Sequence, residues 1–274
     1  MESQPLFVIG APRSGTTFLC HILNQHPAIQ LTNESRIFVL LKDLVEVRSK
    51  RPDLIGRDFR ELFVDFLCSH AGSIVERFYR DSLGIDAPIW GDKHPPYGDP
   101  SVLSGRTGSQ PRSPQSGSCL RLIRTVLPRA KFIHIHRDPL QVAHSLVQKG
   151  WTPSVDDGVQ VWRQYVSEIV EFFAETDGDR HLTLAYHDLV AAPAATSALI
   201  GGFLGLTDWS AIETCLLAER RNPTPFSDPA TNLVDTYRGP RGRSLNRQEL
   251  ALAGKAAEWL GYAVAGYRDK MASD

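Results

Sequence analysis

The segment Leu6-Phe7-Val8-Ile9-Gly10-Ala11-Pro12-Arg13-Ser14-Gly15-Thr16-Thr17 constrains this chain more than any other. Four consecutive apolar residues ended by a glycine read as a strand buried on both faces of a parallel sheet. Phe18, Leu19, Ile22 and Leu23 then recur at helical spacing until His26-Pro27 stops the pattern. A strand, a glycine-bearing loop and a helix in direct succession place backbone N–H groups and the positive end of a helix dipole where an anion can sit. The two glycines have P-loop spacing, but Thr16 stands where a nucleoside-triphosphate enzyme has its lysine. The loop therefore offers amides, two threonine hydroxyls and Arg13, a set that suits one phosphate carrying a compact anionic leaving group. A ligand-free βα turn is the alternative at this point.

The rest of the chain continues the alternation. Ile37, Leu40, Leu41 and Leu44 form one helical stripe, and Phe59, Leu62, Phe63, Phe66 and Leu67 form another. Pro88 to Gly91 reads as a short second strand, and Leu120, Leu122, Ile123 and Leu127 resume a helix. Lys131 to His136 reads as a strand, with Pro139 placed as the first residue of the next helix. Trp162, Tyr165, Val166, Ile169, Val170 and Phe173 mark a long amphipathic helix before the strand candidate His181 to Tyr186. The expected fold is α/β: one domain over 1–274, with a P-loop-like parallel β-sheet flanked by helices on both faces and ligands at the carboxyl ends of its strands. Residues 98–118, rich in Gly, Ser, Pro and Gln, read as a mobile surface loop of that domain.

Charge and cysteine usage narrow the partners. Lysine plus arginine total 30 against 31 for aspartate plus glutamate, so no global field draws the molecule onto nucleic acid or an anionic membrane. No apolar run approaches the roughly 18 residues that a membrane span needs, and the N-terminus has no basic leader pattern, so a cytoplasmic location is expected. Cys20, Cys68, Cys119 and Cys215 are scattered without metal-ligand spacing, which predicts free thiols and no metal.

A second anion site is predicted at Arg137, which follows the strand ending at His136, with Ser145 eight residues later in the helix that Pro139 begins. An arginine at a strand end beside a helix N-terminus supplies a bidentate donor and a favourable dipole. Arg137 and Asp138 as a structural pair is the competing reading. His134 and His136 alternate onto one strand face and are expected to be hydrogen-bonded structural residues.

Taken in order, these motifs resemble the sulfotransferases that use 3′-phosphoadenosine 5′-phosphosulfate (PAPS), and the resemblance runs from residue 5 to about residue 190. Pro12 to Thr17 reads P-R-S-G-T-T, the family's phosphosulfate loop, which implies that Arg13, Ser14, Gly15, Thr16 and Thr17 hold the 5′-phosphosulfate. Arg137 and Ser145 match the family's 3′-phosphate pair, and Tyr186 resembles a nucleotide-contacting tyrosine. The stretch from His26-Pro27 to Glu34 and Arg36 is similar to tyrosylprotein sulfotransferases, which implies Glu34 as catalytic base. Asp92-Lys93-His94-Pro95 resembles the family's N-K-D-P stretch, which implies that Lys93, with Arg13, stabilises the leaving group. Asp92 and His94 depart from that stretch and inherit no role, although His94 is an alternative base. The basic segment Arg238 to Arg243 reads either as a solvated basic turn or, by the resemblance, as a loop that closes over the donor.

The implied reaction needs no metal. It moves a sulfuryl group from PAPS to a hydroxyl on a small molecule, lipid, glycan or peptide and leaves adenosine 3′,5′-bisphosphate. A P-loop small-molecule kinase and a catalytically silent nucleotide-binding protein are the alternative readings.

Overall fold

In the computed structural model of the protein, residues 2–50, 59–100 and 118–221 are described. Of the loop expected at 98–118, residues 101–117 lie outside them, as does the basic segment 238–243. Five strands form one sheet: β1 (Gln4–Ile9), β2 (Ile29–Asn33), β3 (Ile89–Lys93), β4 (Lys131–His136) and β5 (His181–Ala185), in the order β2-β3-β1-β4-β5. Every neighbouring pair is parallel. Nine α-helices accompany them among the described residues: α1 (Thr16–Leu23), α2 (Ile37–Lys50), α3 (Arg60–Arg77), α4 (Leu120–Val126), α5 (Pro139–Gln148), α6 (Val155–Ala174), α7 (Tyr186–Ala191), α8 (Pro193–Leu204) and α9 (Ser210–Arg221).

The alternation of side chains along each strand builds two cores. Leu6 and Val8 of β1, Ile133 and Ile135 of β4 and Leu184 of β5 face α1, α7, α8 and α9. Phe7, Ile9, Trp90 and Phe132 point the other way, onto α2, α3, α4 and α6. A third cluster packs α5 against α6 through Leu140, Leu146, Val159 and Trp162. Full burial of side chains such as these contributes roughly 1.5–3 kcal/mol each, before conformational entropy is charged against it. The central strand is buried throughout its last five residues, as its unbroken apolar run requires.

Strand β2 departs from expectation, because Ile29-Gln30-Leu31-Thr32-Asn33 was given no strand in the sequence reading. It is a sheet edge with an alternating burial pattern, so it lacks the continuous apolar run that marks the interior strands. The segment from Pro88 is therefore the third strand in chain order. Glu34 falls in the β2–α2 connection. Asp138 caps α5, its Oδ1 accepting from the amides of Leu140 at 2.9 Å and Gln141 at 3.0 Å.

His134 and His136 do lie on one face, with ring centroids 5.7 Å apart. His134, however, is fully buried and neither ring nitrogen has a hydrogen-bond partner among the described residues, contrary to expectation. Burial holds His134 well below the ordinary imidazole range, and burial likewise lowers His136 to about 4. The unfolded chain binds these protons near pH 6.5 while the folded chain refuses them, so stability present above about pH 6.5 is lost as pH falls towards 4. Urea titrations across that window should show this decline. His134→Leu should flatten it, and an unchanged slope would assign the acid sensitivity to other groups.

Candidate active site

Because the five strands are parallel, their carboxyl ends share one edge of the sheet, and the predicted site residues follow those ends directly. The glycine loop follows β1, Glu34 follows β2, Lys93 ends β3 with His94 next, Arg137 follows β4 and Tyr186 follows β5. The sheet order places Glu34 and Lys93 on one side of the loop and Arg137 and Tyr186 on the other.

The loop is formed for close approach. A Cβ on Gly10 would lie 2.3 Å from the Ile135 carbonyl oxygen, and one on Gly15 would lie 2.3 Å from the Tyr186 ring. Gly15 also has φ 99°, a left-handed conformation that glycine adopts without a steric penalty. It occupies the N-cap of α1, where no side chain caps the helix, so the first amides of α1 are not taken up by a cap. The Ser14 hydroxyl is buried there without a hydrogen-bond partner among the described residues, a polar atom that an anion's oxygen would satisfy. Arg13 Nε donates to Ser145 Oγ at 2.9 Å, which joins the two predicted anion sites directly. Burial lowers the Arg13 pKa.

On the far side, Arg137 is buried, and its Nε donates to Gln141 Oε1 at 2.8 Å. Its guanidinium carbon lies 5.0 Å from the centre of the Tyr186 ring, within cation–π range, and Trp162 Nε1 donates to its carbonyl at 3.1 Å. Tyr186 starts α7 instead of ending a strand, yet reaches both Gly15 and Arg137.

On the near side, Lys93 Nζ donates to Glu34 Oε1 at 2.9 Å. Burial acts to raise the Glu34 carboxyl, but the hydrogen bond and charge of Lys93, with His94 and Arg36, outweigh it, and the carboxyl sits below its usual range. His94 Nδ1 lies 4.0 Å from Glu34 Oε2, and this buried nitrogen has no hydrogen-bond partner among the described residues. Burial lowers His94 to about 4 against the opposing charges of Asp92 and Glu34.

Asp92, which the sequence reading left without a role, organises this half of the site. It is fully buried and accepts from Thr32 Oγ1 at 2.8 Å, Ser35 Oγ at 2.7 Å, Tyr97 OH at 2.8 Å and the Ser35 amide at 3.1 Å. Ser35 lies between Glu34, φ 66°, and Arg36, φ 61°, so the carboxylate clamps a strained turn. Two adjacent charges, Asp92 and Lys93, closing a strand that begins Ile89-Trp90 are the available signal, since buried charges need partners. Asp92→Ala should strand these donors and cost about 1–3 kcal/mol in denaturant melts, with Asp92→Asn costing less. Equal stability of all three proteins would remove the clamp from the account.

A lysine–glutamate pair and a second arginine thus flank an uncapped glycine loop on a P-loop-like α/β fold. Residues 5–211 match the model of the Sulfotransferase family, and the chain belongs to that family. Its fold is similar to the sulfotransferase domain from the curacin biosynthetic pathway, with TM-score 0.62 and 16% identity over 94% of this chain and 97% of that one. It is equally similar to the sulfotransferase domain of the Synechococcus PCC 7002 olefin synthase, with TM-score 0.62, 19% identity and 96% of each chain covered. In sequence it is 26% identical to the nodulation protein NoeE of Sinorhizobium fredii over 155 residues, 55% of this chain and 33% of that protein. An uncharacterized protein of Aquifex aeolicus is 27% identical over 154 residues, 55% of this chain and 18% of its own length. The chain thus spans about a third or less of these two relatives. No described helix is long and apolar enough to cross a membrane.

Proposed function

We propose that the protein transfers a sulfuryl group from PAPS to the hydroxyl of an acceptor, with Glu34 as base and Lys93 at the leaving group. The observation that carries this reading is the 2.9 Å Lys93–Glu34 contact beside a glycine loop with an uncapped helix N-terminus. Family membership supports sulfuryl transfer, and the P-R-S-G-T-T loop supports PAPS as donor.

In the reaction, Glu34 takes the acceptor's proton while the acceptor oxygen bonds to sulfur. The bond from sulfur to the bridging oxygen breaks, and its electron pair leaves on the 5′-phosphate of adenosine 3′,5′-bisphosphate. Lys93 and Arg13 are the cations for that developing charge, with Ser14, Gly15, Thr16 and Thr17 around the phosphate. Arg137, Ser145 and Tyr186 bind the nucleotide's other end. No metal is assigned to the chemical step. The acceptor is a hydroxyl-bearing small molecule, lipid, glycan or peptide.

Glu34→Gln and Lys93→Ala should each lower turnover by about 10²-fold or more while leaving nucleotide affinity nearly intact. Wild-type turnover in Glu34→Gln would move the base role to His94. Glu34 sits below the usual carboxylate range and His94 near 4, so either candidate is already in its basic form at pH 6.

The donor assignment is tested by calorimetry with adenosine 3′,5′-bisphosphate and 5′-AMP. The bisphosphate should bind at least about 10-fold more tightly, as expected of charge-assisted hydrogen bonds worth roughly 1.5–3 kcal/mol, and Arg137→Ala should erase the difference. Equal binding of the two nucleotides would refute the donor site and direct attention to ATP with magnesium.

A further inference from the structure

Away from the strand ends, α1 and α9 bring three different ligand types together. His21 lies in the last turn of α1, about 7.5 Å along the helix from Thr16 at its start. Cys215 and Glu219 are four residues apart on α9 and so share one face of that helix. One nitrogen, one sulfur and one oxygen atom of these side chains all lie within 4.8 Å of one another. We propose that His21, Cys215 and Glu219 bind one Zn2+ ion, at a site separate from the sulfuryl-transfer chemistry.

The His21–Glu219 distance fits a shared metal ion as well as an ion pair. His21 Nε2 and Glu219 Oε1 are 3.6 Å apart, beyond the usual 2.7–3.2 Å of a hydrogen bond. A tetrahedral ion with ligands at about 2.0–2.3 Å separates them by roughly 3.3–3.8 Å, so this pair already stands at that spacing. The helices are held in this relation by a second contact, His26 Nε2 to the Asp208 carbonyl at 2.8 Å, just ahead of α9. Side-chain exposure is 5% for Glu219 and 30% for His21, so the site is backed by protein and open to solvent for a fourth, water ligand.

Imidazole, thiolate and carboxylate together suit Zn2+, whereas Mg2+ and Ca2+ favour all-oxygen sets. Zn2+ uptake forms the metal–sulfur bond and releases the thiol proton to solvent. His21 and Cys215 are 194 positions apart, which is why cysteine spacing alone predicted no metal.

The test uses the full chain stripped with a chelator and titrated with ZnCl2 by calorimetry, with thermal melts in parallel. One equivalent should bind with a rise in melting temperature, as for any ligand that favours the folded state, and MgCl2 should reproduce neither. Cys215→Ala and Glu219→Gln should abolish that equivalent, while Cys68→Ala with His70→Ala, which removes the part-exposed thiol and imidazole of α3, should leave it in place. Absence of saturable uptake by folded protein would overturn the proposal, as would an equivalent that survives both α9 substitutions. Should Cys215→Ala fail to fold, the near-isosteric Glu219→Gln decides alone. Nucleotide affinity is not read in this experiment, so its outcome leaves the donor assignment untouched.

Discussion

Parallel pairing of the five strands is the constraint on which the arrangement depends. In a parallel sheet every strand must return by a crossover, and every carboxyl end then opens onto the same edge. Residues as distant in sequence as Arg13, Glu34, Lys93, Arg137 and Tyr186 converge because each stands at or just past the end of a different strand. The order β2-β3-β1-β4-β5 divides them further. The glycine loop lies at the centre, the lysine–glutamate pair on one side and the arginine–tyrosine pair on the other. A donor nucleotide with phosphates at two positions, as proposed, fits that division: one phosphate on the loop, the other towards β4 and β5, and the reacting group towards β2 and β3.

Local strain is concentrated where the sheet presents these groups. Arg13, Glu34 and Arg36 are the non-glycine residues with positive φ among the described residues. Such conformations cost of order 1–3 kcal/mol each and persist only when their surroundings over-determine them. For Glu34 and Arg36 the surroundings are visible: the Glu34 amide donates to the Lys93 carbonyl at 2.9 Å, and Asp92 holds Ser35 by both amide and hydroxyl. The stability invested in a buried carboxylate network thus fixes the direction in which the glutamate leaves the edge strand. Asp92 and Lys93 are consecutive on β3 and so point to opposite faces, one towards the clamp and the other towards Glu34.

Much of this was legible from residue order. The strand β4 and the start of α5 fall where the apolar run and Pro139 put them, because burial on both faces and the fixed φ of proline are strong local signals. The strand β2 was not legible, since an edge strand may alternate and Ile29 to Asn33 is short. The Asp92 network was equally hidden: its partners Thr32 and Ser35 lie about 60 residues away at or just past the end of β2, and only the folded chain brings them to Asp92 and nearby Tyr97. His134 illustrates a different gap. Its burial was readable from the strand, but its lack of a hydrogen-bond partner among the described residues depends on which side chains α6 presents, with Phe173 at 6.2 Å supplying an aromatic edge in place of a polar group.

The proposed division of labour between lysine and glutamate follows from their unequal depth. Side-chain exposure is 2% for Lys93 and 39% for Glu34, so the pair has one end fixed in the protein and the other at the mouth. A buried ammonium costs several kcal/mol to desolvate and requires an anionic partner throughout. With no donor bound, Glu34 serves as that partner. In the proposed complex, a phosphate oxygen beside the loop would give Lys93 a second anion and free the more exposed carboxylate to meet an acceptor hydroxyl. The proposed exchange reconciles a glutamate held ionised by the lysine with a role as base: sharing the cation with the leaving group would weaken the contact that lowers the carboxyl's pKa and so restore its basicity.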